Sequence, residues 1–162
     1  MNLRIHATRL LLIVGIPAAV LCFQPRALAD AASDNAKIDA LLKQTGYSAE
    51  KKRDDVWVVH QQGSNLTDFK VVIATGDGLA VTFVTIARKK DVDLNSDFLL
   101  KLVKFNGEYD RIKVLIDDDG DIDVRIDSSI RVLDAAELKE EIHQVSTSAD
   151  EIYGKIQGDL IH

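Results

Sequence analysis

The chain has 162 residues with 26 acidic and 20 basic side chains, a net charge of −6. A chain this acidic is repelled by nucleic-acid phosphates and by anionic bilayers, so nucleic-acid and headgroup-binding roles are set aside. The single cysteine, Cys22, lies in the first 29 residues, and the rest of the chain has no disulfide, thiol nucleophile or thiolate metal ligand.

Those first 29 residues read as a removable export signal. They carry Arg4 and Arg9, an apolar run from Leu10 to Phe23, and Ala27-Leu28-Ala29 ahead of Asp30. The run is shorter than the ~20 residues of a membrane span. A lipidated Cys22 would want a small residue before it, and Leu21 stands there. The expected product is periplasmic or secreted, cleaved near Ala29, with no stable membrane insertion afterwards. It holds 17 basic and 26 acidic residues, a balance of −9, on 133 residues, enough for one domain. Residues 30–36 are expected to be a flexible N-terminus, 37–157 one domain, and 158–162 a tail.

The first helix is expected to start at Ser33 or Asp34, to face inward with Ile38, Leu41 and Leu42, and to stop at Gly46. Three antiparallel strands come next: one around Val56-Trp57-Val58-Val59, then Phe69 to Ala74 and Leu79 to Ala87 about the turn Thr75-Gly76-Asp77-Gly78. In the third strand Leu79, Val81 and Phe83 share one face and Thr82 the other. Val84 and Ile86 make that second face apolar too, so both faces of the sheet are expected to meet something.

A second helix starts near Asn95 or Ser96, with Phe98, Leu99, Leu102 and Val103 on one face, and ends at Asn106-Gly107. A hairpin succeeds it: Ile112, Val114 and Ile116 alternate out, Asp119-Gly120 turns, and Ile122, Val124 and Ile126 alternate back. The last helix is capped by Asp134 with Glu137 reaching back to it. Ala135, Leu138, Ile142, Val145, Ala149, Ile152 and Ile156 recur at steps of three and four, a stripe suited to packing on a sheet.

Candidate chemistry is thin. Asp117, Asp118, Asp119, Asp121 and Asp123 resemble a calcium loop, but aligning Gly120 to the sixth position leaves Leu115 and Ile126 where carboxylates are required. His60, His143 and His162 lack metal-ligand spacing. Ser128-Ser129 and Ser146-Thr147-Ser148 have no nucleophile elbow around them, and Gly76-Asp77-Gly78 does not open a helix as a phosphate cradle would. Lys51-Lys52-Arg53 and Arg88-Lys89-Lys90, edged by aspartates, read as solvated loop charge. Trp57, Phe69, Phe83, Phe98 and Phe105 read as core. No catalytic, cofactor or metal residue is therefore assigned.

The order α-β-β-β-α-β-β-α resembles the type III secretion chaperone-like fold, an α+β class with an antiparallel sheet. Within it the chain resembles the YbjN domain family over roughly Ile38 to Ile156. The pattern that carries this is Phe98-Leu99-Leu100-Lys101-Leu102-Val103-Lys104-Phe105-Asn106, Ile112 to Ile116, the turn Asp118-Asp119-Gly120-Asp121, Ile122 to Ile126, and the long helix from Asp134. The family is described as sensory transduction regulators and has no catalytic residues to carry over. The resemblance implies a non-enzymatic module that self-associates or binds an envelope polypeptide, with Val84, Ile86, Phe98, Leu99 and Leu102 as the partner or dimer surface. The alternative is a small envelope ligand-binding protein or hydrolase.

Overall fold

The computed structural model describes residues 26–161. The apolar run Leu10 to Phe23 of the expected export signal, Cys22 and His162 lie outside the described residues. Among the described residues, three helices and a six-stranded antiparallel sheet make up the fold. In chain order the elements are α1 (Arg26–Thr45), β1 (Ala49–Arg53), β2 (Val56–Gln61), β3 (Phe69–Gly76), β4 (Leu79–Ala87), α2 (Ser96–Glu108), β5 (Lys113–Ile116), β6 (Ile122–Ser129) and α3 (Ala135–Ile156). Among the described residues no helix is long and apolar enough to cross a membrane.

The strand order is β1-β2-β3-β4-β6-β5. The first four strands form a meander. After α2 the chain lays down β5 at the far edge, and β6 returns to pair with β4 through Leu79↔Ser129 to Ala87↔Ile122. Two turns make this register possible. Asp77 and Gly78 take φ of 50° and 74°, the paired positive values of a type I′ turn, and Gly120 takes 87° at the β5–β6 tip.

All three helices pack on one face. Their shared core contains Ile38 and Leu42 of α1, Phe98, Leu102 and Phe105 of α2, and Leu138, Ile142, Val145, Ala149, Ile152 and Ile156 of α3, against Trp57, Val59, Val71, Ile73, Val84, Val124 and Ile126 of the sheet. The α3 stripe is fully buried and lies across β3, β4 and β6, with α1 alongside. It is a sheet-packing face, consistent with its small Ala149 position. Asp134 caps α3 by accepting from the Glu137 amide at 2.8 Å, while the Glu137 carboxylate pairs with Arg111 instead of reaching back.

Three expectations are corrected. An additional strand, β1, precedes the predicted first strand, so Lys51-Lys52-Arg53 is an edge strand rather than a loop. It has no apolar alternation and neither of its faces is packed past Ala49, and lysines on an edge discourage further strand addition. Helix α1 begins at Arg26 and runs through Ser33 and Asp34, taking in the segment expected to be flexible; alanines at 27, 29, 31 and 32 favour helix there. The tail is pinned, too. Leu160 pairs with Val92, and the Ile161 amide donates to the Asp91 carbonyl at 2.8 Å.

Candidate functional site

Because side chains alternate along a strand, one half of the sheet's residues must point away from the helices. The register sorts them into rows. One row runs Glu50–Val58–Val72–Phe83–Arg125–Lys113 across β1, β2, β3, β4, β6 and β5. The next runs Arg53–Val56–Ala74–Val81–Asp127. Beyond it Leu79 stands beside Ser129, 40% exposed.

None of these residues belongs to the helix-covered core. Val56, Val72, Ala74, Val81 and Phe83 are half-buried and Val58 is buried, with none of the described helices above them. The sheet's open face thus carries an apolar strip three strands wide, rimmed by charge. On one rim Asp127 accepts from Lys113 at 2.6 Å and lies 2.8 Å from the Arg125 Nε. On the other, Lys52 pairs with Glu50 at 2.5 Å and Arg53 lies 3.5 Å from Asp55. Burial tends to raise the Asp127 carboxyl, but Lys113 and Arg125 outweigh it and hold it below the ordinary range. Asp127 is therefore ionised at neutral pH.

The predicted partner surface fares differently. Val84 and Ile86 point to the helix side of β4, and Phe98 and Leu102 point inward from α2; all four are core. Only Leu99 of the five is exposed, at 37%. The prediction puts the wrong half of β4 outward, because the odd residues Val81 and Phe83 are as apolar as the even ones. Phe83, expected in the core, is instead the largest side chain of the open strip. On α2 the outward ridge is Leu99, Leu100 and Val103, the last two 54% and 65% exposed.

The polar candidates are structural. Asp117 accepts from the amides of Asp119 and Asp121 at 3.0 and 2.8 Å, and Asp121 accepts from Arg88 and from the Lys89 amide. Asp117 and Asp121 are thus taken up by their own turn and by the Arg88 loop, while Asp123 is buried with no partner for its Oδ1. Ser128 Oγ donates to Glu141 Oε1, with Arg111 Nη2 at 3.4 Å from the same oxygen. This trio resembles a hydroxyl and its base, with Ser128 half-buried, Glu141 wholly buried and the Glu141 Oε2 without a partner. His60 and His143 are both exposed. A cleft lined by Asp34, Asn35, Asp55, Thr75 and Asp77 lies beside the β3–β4 turn and contains no nucleophile–base pair.

No family model matches this chain, and no curated protein matches it. Among solved structures, a chain of the heterodimeric complex ExoU-SpcU from the type III secretion system (T3SS) of Pseudomonas aeruginosa is similar. Its TM-score is 0.51 and its identity 17%, over 76% of this chain and 97% of that one. The likeness shows the fold, an α+β, type III secretion chaperone-like architecture.

Proposed function

We propose that this chain is an exported, non-enzymatic protein-binding or regulatory module of the YbjN type, and that it binds polypeptide on the open face of its sheet. The observation that carries the reading is the apolar strip of Val58, Val72, Ala74, Val81 and Phe83, which none of the described helices covers. Sheets with one face packed and one face in water ordinarily alternate apolar and polar residues, and an uncovered apolar centre inside a charged rim is the composition of an interaction surface. The fold shared with a chain of a heterodimeric secretion complex is consistent with that role. The pattern of Arg4, Arg9, the apolar run Leu10 to Phe23 and Ala27-Leu28-Ala29 supports the envelope address.

The test is capture. Tagged protein is cross-linked in its own envelope and the adducts are compared with those of a Phe83→Asp variant. The reading predicts a defined polypeptide adduct that Phe83→Asp loses while its circular dichroism and melting temperature stay close to wild type. An adduct indifferent to Phe83→Asp, or none at all, contradicts it.

A further inference from the structure

We propose that in the uncleaved chain the open sheet face is covered by the chain's own leader, the apolar run Leu10 to Phe23, and that cleavage near Ala29 uncovers it. This rests on the protein-binding reading above and names the control on that site.

The leader joins the fold at one end of the sheet. Helix α1 begins at Arg26, so 25 residues precede it. Ala31, Asp34 and Asn35 of α1 line a cleft with Asp55 of the β1–β2 turn and with the β3–β4 turn, and Thr75 Oγ1 donates to Asn35 Oδ1 at 2.5 Å. Ile38 and Leu42 lie further on, in the core, so the helix start points away from the sheet. The five residues before Ala31 carry the chain about 8 Å clear of the turns. On the open side of those turns stand Leu79, then Val56, Ala74 and Val81, the near end of the apolar strip. Gln24-Pro25 lies at the junction, where a residue before proline is held out of the helix and the chain can reverse.

The strip has the dimensions of one helix. It occupies β2, β3 and β4 in two rows, Val58–Val72–Phe83 and Val56–Ala74–Val81. Three strands about 4.8 Å apart span about 10 Å, the width of a single helix. The run Leu10 to Phe23 has 14 residues. Wound as a helix bent at Pro17 it is about 21 Å long, against about 26 Å for β4. One pass of the run therefore covers the strip from end to end and removes both apolar surfaces from water. The rim keeps its own pairs, Glu50 with Lys52, Arg53 with Asp55, and Asp127 with Lys113 and Arg125.

Charge agrees with this direction. A run laid down from the β3–β4 turn brings Arg9, and Arg4 before it, toward the far end of β4, where Ala87 stands beside Ile122 and the β5–β6 tip begins. At that tip Asp118 and Asp119 form no salt bridge among the described residues, and the Asp123 Oδ1 is buried without a partner. The basic end of the leader thus meets the acidic tip as its apolar run meets the apolar strip. Cutting at Ala29 releases the run, as removal of a pro-segment does, and the face is offered to polypeptide only after export.

Cys22 is the only cysteine of the chain and stands beside Phe23, so disulfide trapping reads where the run lies. Full chain made in a membrane-free translation mixture keeps its leader. With Val81→Cys it should form, under mild oxidant, a disulfide to Cys22 within one chain, a bond that needs Cα atoms within about 7 Å. His143→Cys, at an exposed position of α3, should give about tenfold less or lower still. Changing Arg4 and Arg9 together to glutamate should slow trapping at position 81 severalfold. Pairing of Cys22 with both positions alike, or with neither, overturns the proposal, as does a rate untouched by the charge reversal. A disulfide joining two copies through position 81, with Cys22 left free, names a second copy as occupant and overturns it too. The processed protein tests the binding reading separately. Polypeptide capture at Phe83 without Cys22 pairing in the full chain removes the leader and keeps that reading, whereas Cys22 pairing without capture keeps the leader in place and removes the reading.

Discussion

Asp150 on α3 and Asn65 in the β2–β3 loop hold each other from both sides. The Asp150 carboxylate accepts the amides of Ser64, Asn65 and Leu66 at 3.0, 2.7 and 2.7 Å, and the Asn65 side chain donates back to the Asp150 carbonyl at 3.1 Å. Glycines make the approach possible: a Cβ on Gly63 would fall 2.2 Å from Asp150 Oδ1, and one on Gly154 would fall 2.7 Å from the Asn65 side chain.

Asp150→Ala should therefore cost about 1–3 kcal/mol, since it leaves three amides without their acceptor. Amide exchange at 64–66 should speed up far more than exchange in β4. Gly63→Ala should act similarly, through steric conflict. Protection at 64–66 equal to wild type would refute this account of the loop.

The same carboxylate gives a pH dependence. Burial tends to raise Asp150, but the three amides outweigh it and hold its carboxyl below the ordinary range. With a folded value below the unfolded one, its contribution is present above the unfolded carboxylate range and lost as pH falls through the folded value. Melting temperature should thus drop on acidification below about pH 4, and drop less steeply in Asp150→Ala.

Glu141 works in the opposite sense. Burial raises its carboxyl, against the lowering effects of Ser128 and Arg111, and the Glu137 charge adds to the rise. Stability from this site is full below the unfolded carboxylate range and is lost as pH rises through the folded value. Glu141→Gln keeps an acceptor for Ser128 and removes the ionisation. It should melt at or above the wild-type temperature at pH 8 and gain little at pH 4.5. A loss at pH 8 would mean that the Arg111 pairing outweighs the burial cost.

Leu102 separates the two sides of α2. It is 4% exposed within the core, so Leu102→Ala should cost about 2–5 kcal/mol, whereas Val103→Ala, at a position 65% exposed, should cost well under 1 kcal/mol. Chemical denaturation of the two variants measures this directly. Equal costs would place α2 differently from the structure.

Much of this architecture can be read from residues. The caps at Asn95 and Asp134, the Asp77-Gly78 turn and the α3 stripe each announce themselves locally, because a cap side chain, a positive φ or a 3.6-residue period needs only its neighbours. The edge strand β1 does not, since Ala49–Arg53 is a strand only by pairing with β2 and offers no apolar alternation of its own. The interaction surface escapes a reading of the sequence for a related reason. On β4 the odd and even residues are both apolar, so alternation cannot say which half the helices will cover. That choice is made by the partners of each residue, Val84 beside Val124 on the helix side and Phe83 beside Arg125 on the open side. The charge order of the open face also emerges only when residues from six strands are set side by side.

The central claim is that polypeptide occupies the open sheet face, and a photo-reactive phenylalanine analogue in place of Phe83 tests it most directly. Illuminated in its native envelope, the protein should form a discrete adduct at this position, with its own chain or another, and none when the analogue replaces Val132 on the far loop. Adduct at position 132 but not at 83, or only diffuse labelling at both, would contradict the account.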